Sequence, residues 1–522
     1  MRARYAPSGG WLGQVWPLLW ILTSLLGLAG CAETPPPPLR VSVVGDVLLA
    51  RGVPAAFGRD SAALRRTTRA LWASSRYVVG NLECPLTDTA RPVVKPIVFR
   101  GRPEHARWLR RLGFTHLSLA NNHSLDQHAA GLRATARAVR AAGLGGIGFA
   151  ADSGAGCQPQ VLGADSSAVV FAYSALRQPV PGEGCLCGRD FAALCERVAA
   201  YKTLFPGRAV IVYLHWGTEY AAEPSPGQRR QARTLIDCGA AAVVGAHPHV
   251  VQSAEFYRGR PILYSLGNFL FDQRGRGGDL ALQADFDLKA GQVVATWVRP
   301  LHLRGALPRP APAAVAATIA ARLRGAHPAL QLVADPTGRG WQLRPLARSV
   351  PTATEAGYFA RQLTVPLPTG RAAVGLRYRP AARQYQVRTT TDSGATILDL
   401  GFPMYQFAQA DVDNDGQPDL LVGPEKATRF DSATRRRLFV YRWEQGRWRP
   451  RWLGSRVAYR LLYFRAARPV AGRTAVYTLE QTPDGRYGIG RYYWQGFGLA
   501  LENFTFQSRS LDAAYLHFVR YE

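Results

Sequence analysis

The chain has 522 residues, 47% hydrophobic and 19% charged, which excludes a disordered polymer and leaves room for two or three domains with their own cores. Its 64 basic and 36 acidic residues give a net charge of +28, and all the bases but Lys95, Lys202, Lys289 and Lys426 are arginine. That balance suits a polyanion or an anionic membrane surface. No compact basic run interleaved with aromatics is present, which argues against DNA or RNA as partner.

At the N-terminus, Arg2 and Arg4 precede an apolar segment from Val15 to Leu28, too short and too broken by Pro17, Thr23 and Ser24 for a comfortable membrane span. It closes on Leu28-Ala29-Gly30-Cys31, which resembles a bacterial lipobox. The resemblance implies that residues 1–31 act as a lipoprotein signal, with cleavage before Cys31 and lipid on its sulfur. An uncleaved anchor places the rest of the chain on the same, extracytoplasmic side. Residues 32–40 include the proline run Pro35 to Pro38, a stiff spacer. Cys84, Cys157, Cys185, Cys187, Cys195 and Cys238 leave an even number for disulfides in an oxidising compartment, and the cluster Cys157 to Cys195 is placed to staple a loop.

Residues 41–305 alternate short apolar runs with longer amphipathic ones, the pattern of an α/β domain. Strands are expected over Arg40 to Asp46, Tyr77 to Glu83, from His116 into the Asn121-Asn122-His123 loop, over Ala209 to Gly217, Ala241 to His249 and Pro261 to Asp272. Helices are expected over Ser61 to Trp72, Pro103 to Leu112, Ala129 to Ala142 and Gly227 to Cys238, with a closing hairpin at Leu280 to Leu288 and Gln292 to Val298. Pro and Ala enrichment near Ala306 to Pro312 marks a boundary, so residues 306–340 read as a linker with a helix over Ala313 to Leu323. Residues 341–522, rich in Tyr, Trp and Arg in short alternating runs, read as an all-β domain.

Five of these strands end in polar residues: Asp46; Asn81 and Glu83; Asn122 and His123; His215; His247 and His249. Alone, each is an ordinary turn or cap. Ligands of α/β sheets bind beyond the carboxyl ends of the strands, so together these residues converge in one crevice. Carboxylates, amides and imidazoles suit a pair of divalent ions, Mn, Zn or Fe, able to clamp a phosphoryl group.

The series Gly45-Asp46, Gly80 to Glu83, Ala120 to Asp126, Leu214 to Glu219, Gly245 to His249 and Tyr264 to Asp272 resembles the poly-γ-glutamate capsule-synthesis (CapA) family, a branch of the calcineurin-like metallophosphoesterases. The resemblance spans roughly residues 40–300. It implies a four-layer α/β/β/α sandwich, a metal-dependent phosphatase-type site and a role in envelope polyanion metabolism. It also assigns metal contacts to Asp46, Glu83 (with Asn81 as the alternative) and Asn122, with His215 and His247 as ligands of one metal and His249 of the other. His123, beside Asp126, becomes the group that protonates the leaving oxygen, and Lys95 meets the substrate anion. Trp216, Glu219, Asn268 and Asp272 orient ligands, while His105, His116 and His128 are structural. Two departures from the wider superfamily are shared with CapA-type sequences: Leu48 replaces a histidine, and Asn81 or Glu83 replaces a bridging aspartate.

In the C-terminal part, Asp411, Asp413, Asp415 and Asp419 with Gly416 follow a calcium-loop spacing, but Val422 stands where an EF-hand has glutamate. The loop resembles an FG-GAP/VCBS-type blade and implies calcium. The expected function is therefore phosphoester hydrolysis in capsule synthesis, with an anionic polymer or phosphoester as substrate, a lipid-mediated membrane contact and capsule-synthesis membrane proteins as partners. Two alternatives stand beside it: a non-catalytic metal-containing scaffold for an anionic polymer, and an extracytoplasmic nucleotidase or phosphodiesterase.

Overall fold

Apolar runs with no polar alternation become strands buried on both faces. The computed structural model describes residues 38–521 apart from 151–157, 164–166, 177–185, 189, 274, 326–329, 339, 346–357, 369, 380–383, 403, 429–430, 455–456 and 468–472. The expected lipidation site, Cys31, lies outside the described residues.

The chain opens with β1 (Leu39–Val47), α1 (Val53–Leu71), β2 (Tyr77–Leu82), α2 (His105–Arg111), β3 (His116–Ser118), α3 (His128–Ala141) and β4 (Gly145–Ile147). β1 to β4 lie side by side and parallel. A second sheet follows, built from β5 (Gln160–Val161), β6 (Ala168–Ser174), α4 (Phe191–Leu204), β7 (Ala209–His215), α5 (Pro226–Asp237), β8 (Ala242–Ala246), β9 (Ala254–Tyr257) and β10 (Arg260–Leu263). Its order is β5-β6-β7-β8-β10-β9. The chain then returns to the first sheet with β11 (Asn268–Leu270), β12 (Leu280–Lys289), β13 (Gln292–Arg304), β14 (Leu307–Pro310), α6 (Ala313–Arg324), β15 (Leu330–Ala334) and β16 (Trp341–Pro345).

Alternation along each strand decides which core it joins. Val44, Val78 and Leu82 pack under α1, α2 and α3 against Leu64, Leu109 and Leu132. Their neighbours Val41, Val43 and Val79 share a core with Val170, Ile211 and Val244 of the second sheet. Val169, Phe171, Val210 and Val212, on the far face of that sheet, pack with Leu194 and Val198 of α4 and Leu235 of α5. The result is a mixed α/β body with several sheets.

Three features differ from the sequence expectation. The run Pro261 to Asp272 is not one strand: β10 pairs with β8 in the second sheet, and β11 pairs with β1 in the first. The chain crosses between sheets at Tyr264–Gly267, where Gly267 has φ +70°. Residues 306–345 do not hang between domains. β16 pairs with β13, and Ile319 and Leu323 of α6 are buried in the core between the sheets. Finally, the β-rich part ends in a helix, α7 (Leu511–Phe518).

That β-rich part holds three antiparallel sheets in succession: Tyr358–Leu367, Gly370–Arg379, Gln384–Thr391 and Gly394–Asp399; then Met404–Ala410, Asp419–Thr428, Asp431–Arg436, Leu438–Glu444 and Arg447–Gly454; then Arg460–Ala466, Val476–Gln481, Tyr487–Gln495 and Gly498–Ser508. The middle sheet has two apolar faces. Leu420, Val422, Phe439 and Tyr441 meet Val374 and Val387 of the first, while Leu421, Leu438 and Val440 meet Phe464 and Val476 of the third. The third sheet and α7 complete the core on the far side of α4 and α5, with Tyr515 and Phe518 each 1% exposed. Burying two such aromatic side chains is worth roughly 1.5–3 kcal/mol apiece. Arg208 grips Asp512 through a bond of 2.9 Å to Oδ2 and a second to Oδ1. Cys187 is disulfide-bonded, while Cys84 and Cys238 carry free thiols.

His116, on β3 between β2 and β4, is 9% exposed, and burial lowers its pKa from 6.5 to about 4. As pH falls, the unfolded chain takes up this proton before the folded one. The contribution of His116 is therefore complete above pH 6.5 and is lost on the way down to pH 4. Between about pH 7.5 and pH 5, urea unfolding of the wild type should show a loss roughly 2 kcal/mol greater than that of His116→Gln. Equal losses would refute this account.

Candidate metal centre

The carboxyl ends of the parallel strands in both sheets meet at one place. In the first sheet Asp46 lies opposite Asn81 of β2 and Asn268 of β11. In the second, His215 at the end of β7 lies opposite Ala246 at the end of β8, immediately before His247. The glycines before these residues are required by close approach. A Cβ on Gly45 would fall 1.7 Å from the Gly267 carbonyl oxygen, and one on Gly245 would fall 1.9 Å from that of Tyr264. Backbones cross at both points and admit no side chain. His247 and His249 adopt φ of +94° and +58°, left-handed conformations that cost roughly 1–3 kcal/mol each for residues other than glycine.

A chain of amide bonds fixes the tautomers. The His123 backbone N–H donates to Asn121 Oδ1 (3.0 Å), so the Asn121 amide donates to the Leu82 carbonyl (2.8 Å) and to Asn81 Oδ1 (3.1 Å). Asn81 Nδ2 therefore points at Asp46 Oδ1 (2.8 Å) and His215 Nδ1 (3.2 Å). With both ends of its amide engaged, Asn81 organises the site, and Glu83 is left as the acidic group facing the crevice. Asn268 is fixed in the same way. Its Nδ2 donates to the Gly278 carbonyl (2.9 Å), so its Oδ1 accepts from His249 Nδ1 (2.9 Å) and His249 Nε2 keeps its lone pair, 3.7 Å from Glu83 Oε1. Asn122 Oδ1 lies 2.8 Å from His215 Nε2.

Several buried atoms in this cluster have no hydrogen-bond partner. Both carboxylate oxygens of Glu83 and Nδ1 of His247 are desolvated and unsatisfied. Ligand atoms of Glu83, His247 and His249 lie within 4.8 Å of one another. Burial and the neighbouring Asp46 push the Glu83 pKa well above the usual carboxylate range. Burial also raises that of Asp46, but the hydrogen bonds from His249 and Asn81 hold it down at about 2. Burial lowers His247 to about 4 and His215 well below 6.5, so both rings are neutral; His247 Nδ1 has no hydrogen-bond partner, while His215 Nδ1 accepts from Asn81. Neutral imidazoles, a buried carboxylate pair and orphaned donor atoms fit a divalent cation.

His123 flanks the cluster. Its Nδ1 meets Asp126 Oδ2 (2.8 Å), and Asp126 is fully buried, accepting also from the Phe99 N–H (2.6 Å). Lys95, expected to meet substrate, is ion-paired to Asp126 and bonded to the Asn122 carbonyl (2.9 Å), so its charge is already directed inward. Of the residues expected to orient ligands, Asn268 does so through His249. Trp216 lies in the core beneath α5 and bonds the Tyr264 carbonyl (2.9 Å), Glu219 is exposed, and Asp272 binds Arg51 and the Gly52 N–H (3.0 Å). Asn121, which sets the Asn81 amide, was legible only as part of its motif. Phe99 packs at a tilt against His123 (centroids 4.2 Å apart) and Phe271, within the Tyr264 to Asp272 motif, against His249 (4.9 Å).

Asp411, Asp413 and Asp419 also converge, as the C-terminal loop spacing suggests. Two guanidiniums reach the same carboxylates: Arg442 pairs with Asp413 and Asp415, and Arg451 with Asp413.

Adding Mn²⁺ or Zn²⁺ to chelator-stripped protein should raise its stability by about 2.7 kcal/mol at a hundredfold excess over Kd. Glu83→Gln and His247→Ala should each abolish most of the gain in a thermal-shift titration. A gain that persists in both variants places the cation elsewhere.

Residues 40–273 match the family described as bacterial capsule synthesis protein PGA_cap. The chain is 32% identical over 295 residues to the capsule biosynthesis protein CapA of Bacillus anthracis, covering 53% of this chain and 70% of that one. It is 30% identical over 315 residues to the PGA biosynthesis protein CapA of Bacillus subtilis strain 168, covering 56% and 81%. A probable polyglutamine synthesis accessory protein of Mycobacterium tuberculosis H37Rv is 31% identical over 249 residues, 43% of this chain and 65% of its own. On this identity and coverage, the chain belongs to the PGA_cap family of bacterial capsule synthesis proteins.

Proposed function

We propose that this protein hydrolyses a phosphoester in the synthesis of an anionic, poly-glutamate type capsule, at a divalent-metal centre on the outer side of the membrane. The two facing sheets and their flanking helices are then a four-layer α/β/β/α sandwich of the metallophosphoesterase kind. Attachment through lipid on Cys31 keeps the domain at the cell envelope. Among the described residues no helix is long and apolar enough to cross a membrane. The observation that carries the reading is the set of buried, unsatisfied ligand atoms on Glu83 and His247 where the strands of both sheets end.

Asp46, Glu83, Asn122, His215, His247 and His249 would hold the cation pair. Bound there, the cations supply the positive charge that activates a water and polarises a phosphoryl oxygen. The chain provides the rest. Asp126, ion-paired with Lys95 and bonded by the Phe99 N–H, accepts from His123 Nδ1 and leaves Nε2 to carry a proton to a leaving oxygen. Phe99, against the ring, limits its rotation and keeps bulk water off one face.

One feature favours a second reading, a non-catalytic holder of the anionic polymer. Leu48 is fully buried with the helix-side core, and Asn81 brings no charge, so the site has fewer charged or imidazole ligands than the wider superfamily provides. Turnover of p-nitrophenyl phosphate and its bis-ester separates the two. A drop of about 10²–10⁴-fold in kcat for His123→Ala, with metal content unchanged, is expected for the enzyme. Metal-loaded wild type that turns over neither ester would leave the holder.

Calcium in the Asp411–Asp419 loop belongs to the same proposal. Oδ1 of Asp413 and of Asp419 are buried without hydrogen-bond partners, and Arg442 and Arg451 compete for the same carboxylates. Removing one competing charge in Arg442→Ala should tighten Ca²⁺ binding about tenfold in calorimetry. Unchanged affinity would exclude the loop.

A further inference from the structure

The arginines around the mouth of the metal centre are held in a way that surface arginines are not. Arg51, between β1 and α1, has φ +56° and sits with its guanidinium carbon 4.9 Å from the Phe99 ring and 5.4 Å from the Phe271 ring. Those two rings rest on His123 and His249. Asp272 grips one nitrogen of the fork and takes the Gly52 N–H with its other oxygen (3.0 Å), and the Arg51 side chain remains 39% exposed. Arg276 has φ +51°, is exposed, and lies 5.2 Å over the Tyr220 ring. Tyr220 is in turn 6.2 Å from His249 and accepts at its hydroxyl from Gln273 (2.9 Å), whose carbonyl oxygen accepts from Asn268.

Each guanidinium is therefore one aromatic ring away from His249. Contact with a ring face holds the guanidinium in place without using its N–H donors. Arg51 keeps most of its donors open, and Arg276 has no acidic partner among the described residues. Both charges also act on the Tyr220 hydroxyl, which places them around the same opening. Lys95 is not part of this arrangement, because Asp126 has already taken its charge.

We propose that Arg51 and Arg276 form an anion clamp at the mouth of the centre, each seizing one acidic side group of a polycarboxylate chain so that the chain lies across the metal site. The inference rests on the reading of the site as one that handles an anionic polymer, and it adds the residues that select it. A planar carboxylate matches a guanidinium fork held against a ring through two parallel hydrogen bonds. Repeated charges along one chain would engage both arginines at once, which a single small phosphoester does not.

Fluorescence anisotropy with labelled poly-γ-glutamate, and with short-chain polyphosphate as the second probe, tests the clamp on metal-loaded full chain. Arg51→Gln and Arg276→Gln should each weaken poly-γ-glutamate binding about five- to tenfold, and the double variant more than either. Arg51→Lys should recover only part of the loss, because charge returns without the fork. Arg59→Gln, an exposed arginine on α1, should change binding less than twofold and so controls for net charge. Thermal midpoints keep unfolding separate, and exposed Arg276 gives a variant that leaves the core untouched. Failure of the wild type to bind either polymer would remove the polymer reading itself. Wild-type binding unaffected by Arg51→Gln and Arg276→Gln, or reduced no more than by Arg59→Gln, would overturn the clamp alone. Losses seen with polyphosphate but not with poly-γ-glutamate would overturn the carboxylate assignment.

Discussion

The Asp46 carboxylate joins the two sheets, and the site depends on that junction. It sits at the end of β1 with no solvent exposure. Oδ1 accepts from Asn81 on the neighbouring strand, while Oδ2 accepts the His247 N–H (3.1 Å) from the other sheet. Two residues earlier, the Tyr213 hydroxyl of β7 donates to the Val44 carbonyl (2.6 Å) across the same gap. A buried charge is costly unless its hydrogen bonds are complete, and removing a partner from such a group typically costs about 3–5 kcal/mol. Asp46 is therefore at once the electrostatic centre of the crevice and a constraint on how the sheets approach. Any shift of one sheet past the other would strand a charge.

The sequence made the elements around this junction legible where one physical signal dominated. Parallel strands buried on both faces read as apolar runs, and their abrupt polar ends located Asp46, Glu83, His215, His247 and His249 within a residue or two. It was silent where burial removes the periodic signal. Phe191–Leu204 is wrapped on two sides by α5 and the third β-sheet, so it shows no clear face. Pro261 to Asp272 reads as one strand because both of its halves are buried; only the left-handed Gly267 reveals that the chain changes sheets. The choice between Asn81 and Glu83 was beyond spacing altogether. What the structure adds is that both ends of the Asn81 amide are bonded, an arrangement that depends on Asn121, forty residues along the chain.

Proline and alanine enrichment near residue 310 suggested a linker, yet composition reports local backbone preference and not the destination of the segment. Pro308 and Pro310 sit on β14, which pairs with β13 only, at the sheet margin where a missing N–H costs least. The β-rich part shows the opposite relation. Leu420 to Val422 and Leu438 to Tyr441 are unbroken apolar runs within strands, and both faces of that sheet are apolar because a sheet lies on each side. Stacking three sheets in series and docking the last one with α7 against α4 makes this region continuous with the first part, and the chain from Leu39 onward forms one compact unit.

Left-handed backbone at His247 and His249 is the remaining piece of the arrangement. An unconstrained loop would relax two such residues, so the protein must hold them. The Asp46 bond to the His247 N–H holds the first. The Asn268 bond to His249 Nδ1 and the Tyr220 N–H bond to the Pro248 carbonyl (2.8 Å) hold the second. Pro248 between them has its own φ fixed by its ring, which removes conformations the loop would otherwise explore. Each restraint is supplied by protein groups, so the lone pairs of His247 and His249 are aimed by the fold itself. Reorganisation is then small when a cation binds, and the unsatisfied Glu83 oxygens favour binding instead of merely accompanying it. The same loop carries Tyr220 through its bond to Pro248, so the aromatic ring under Arg276 is held by the restraint that sets His247 and His249. The centre and its charged mouth are thus positioned by one set of bonds.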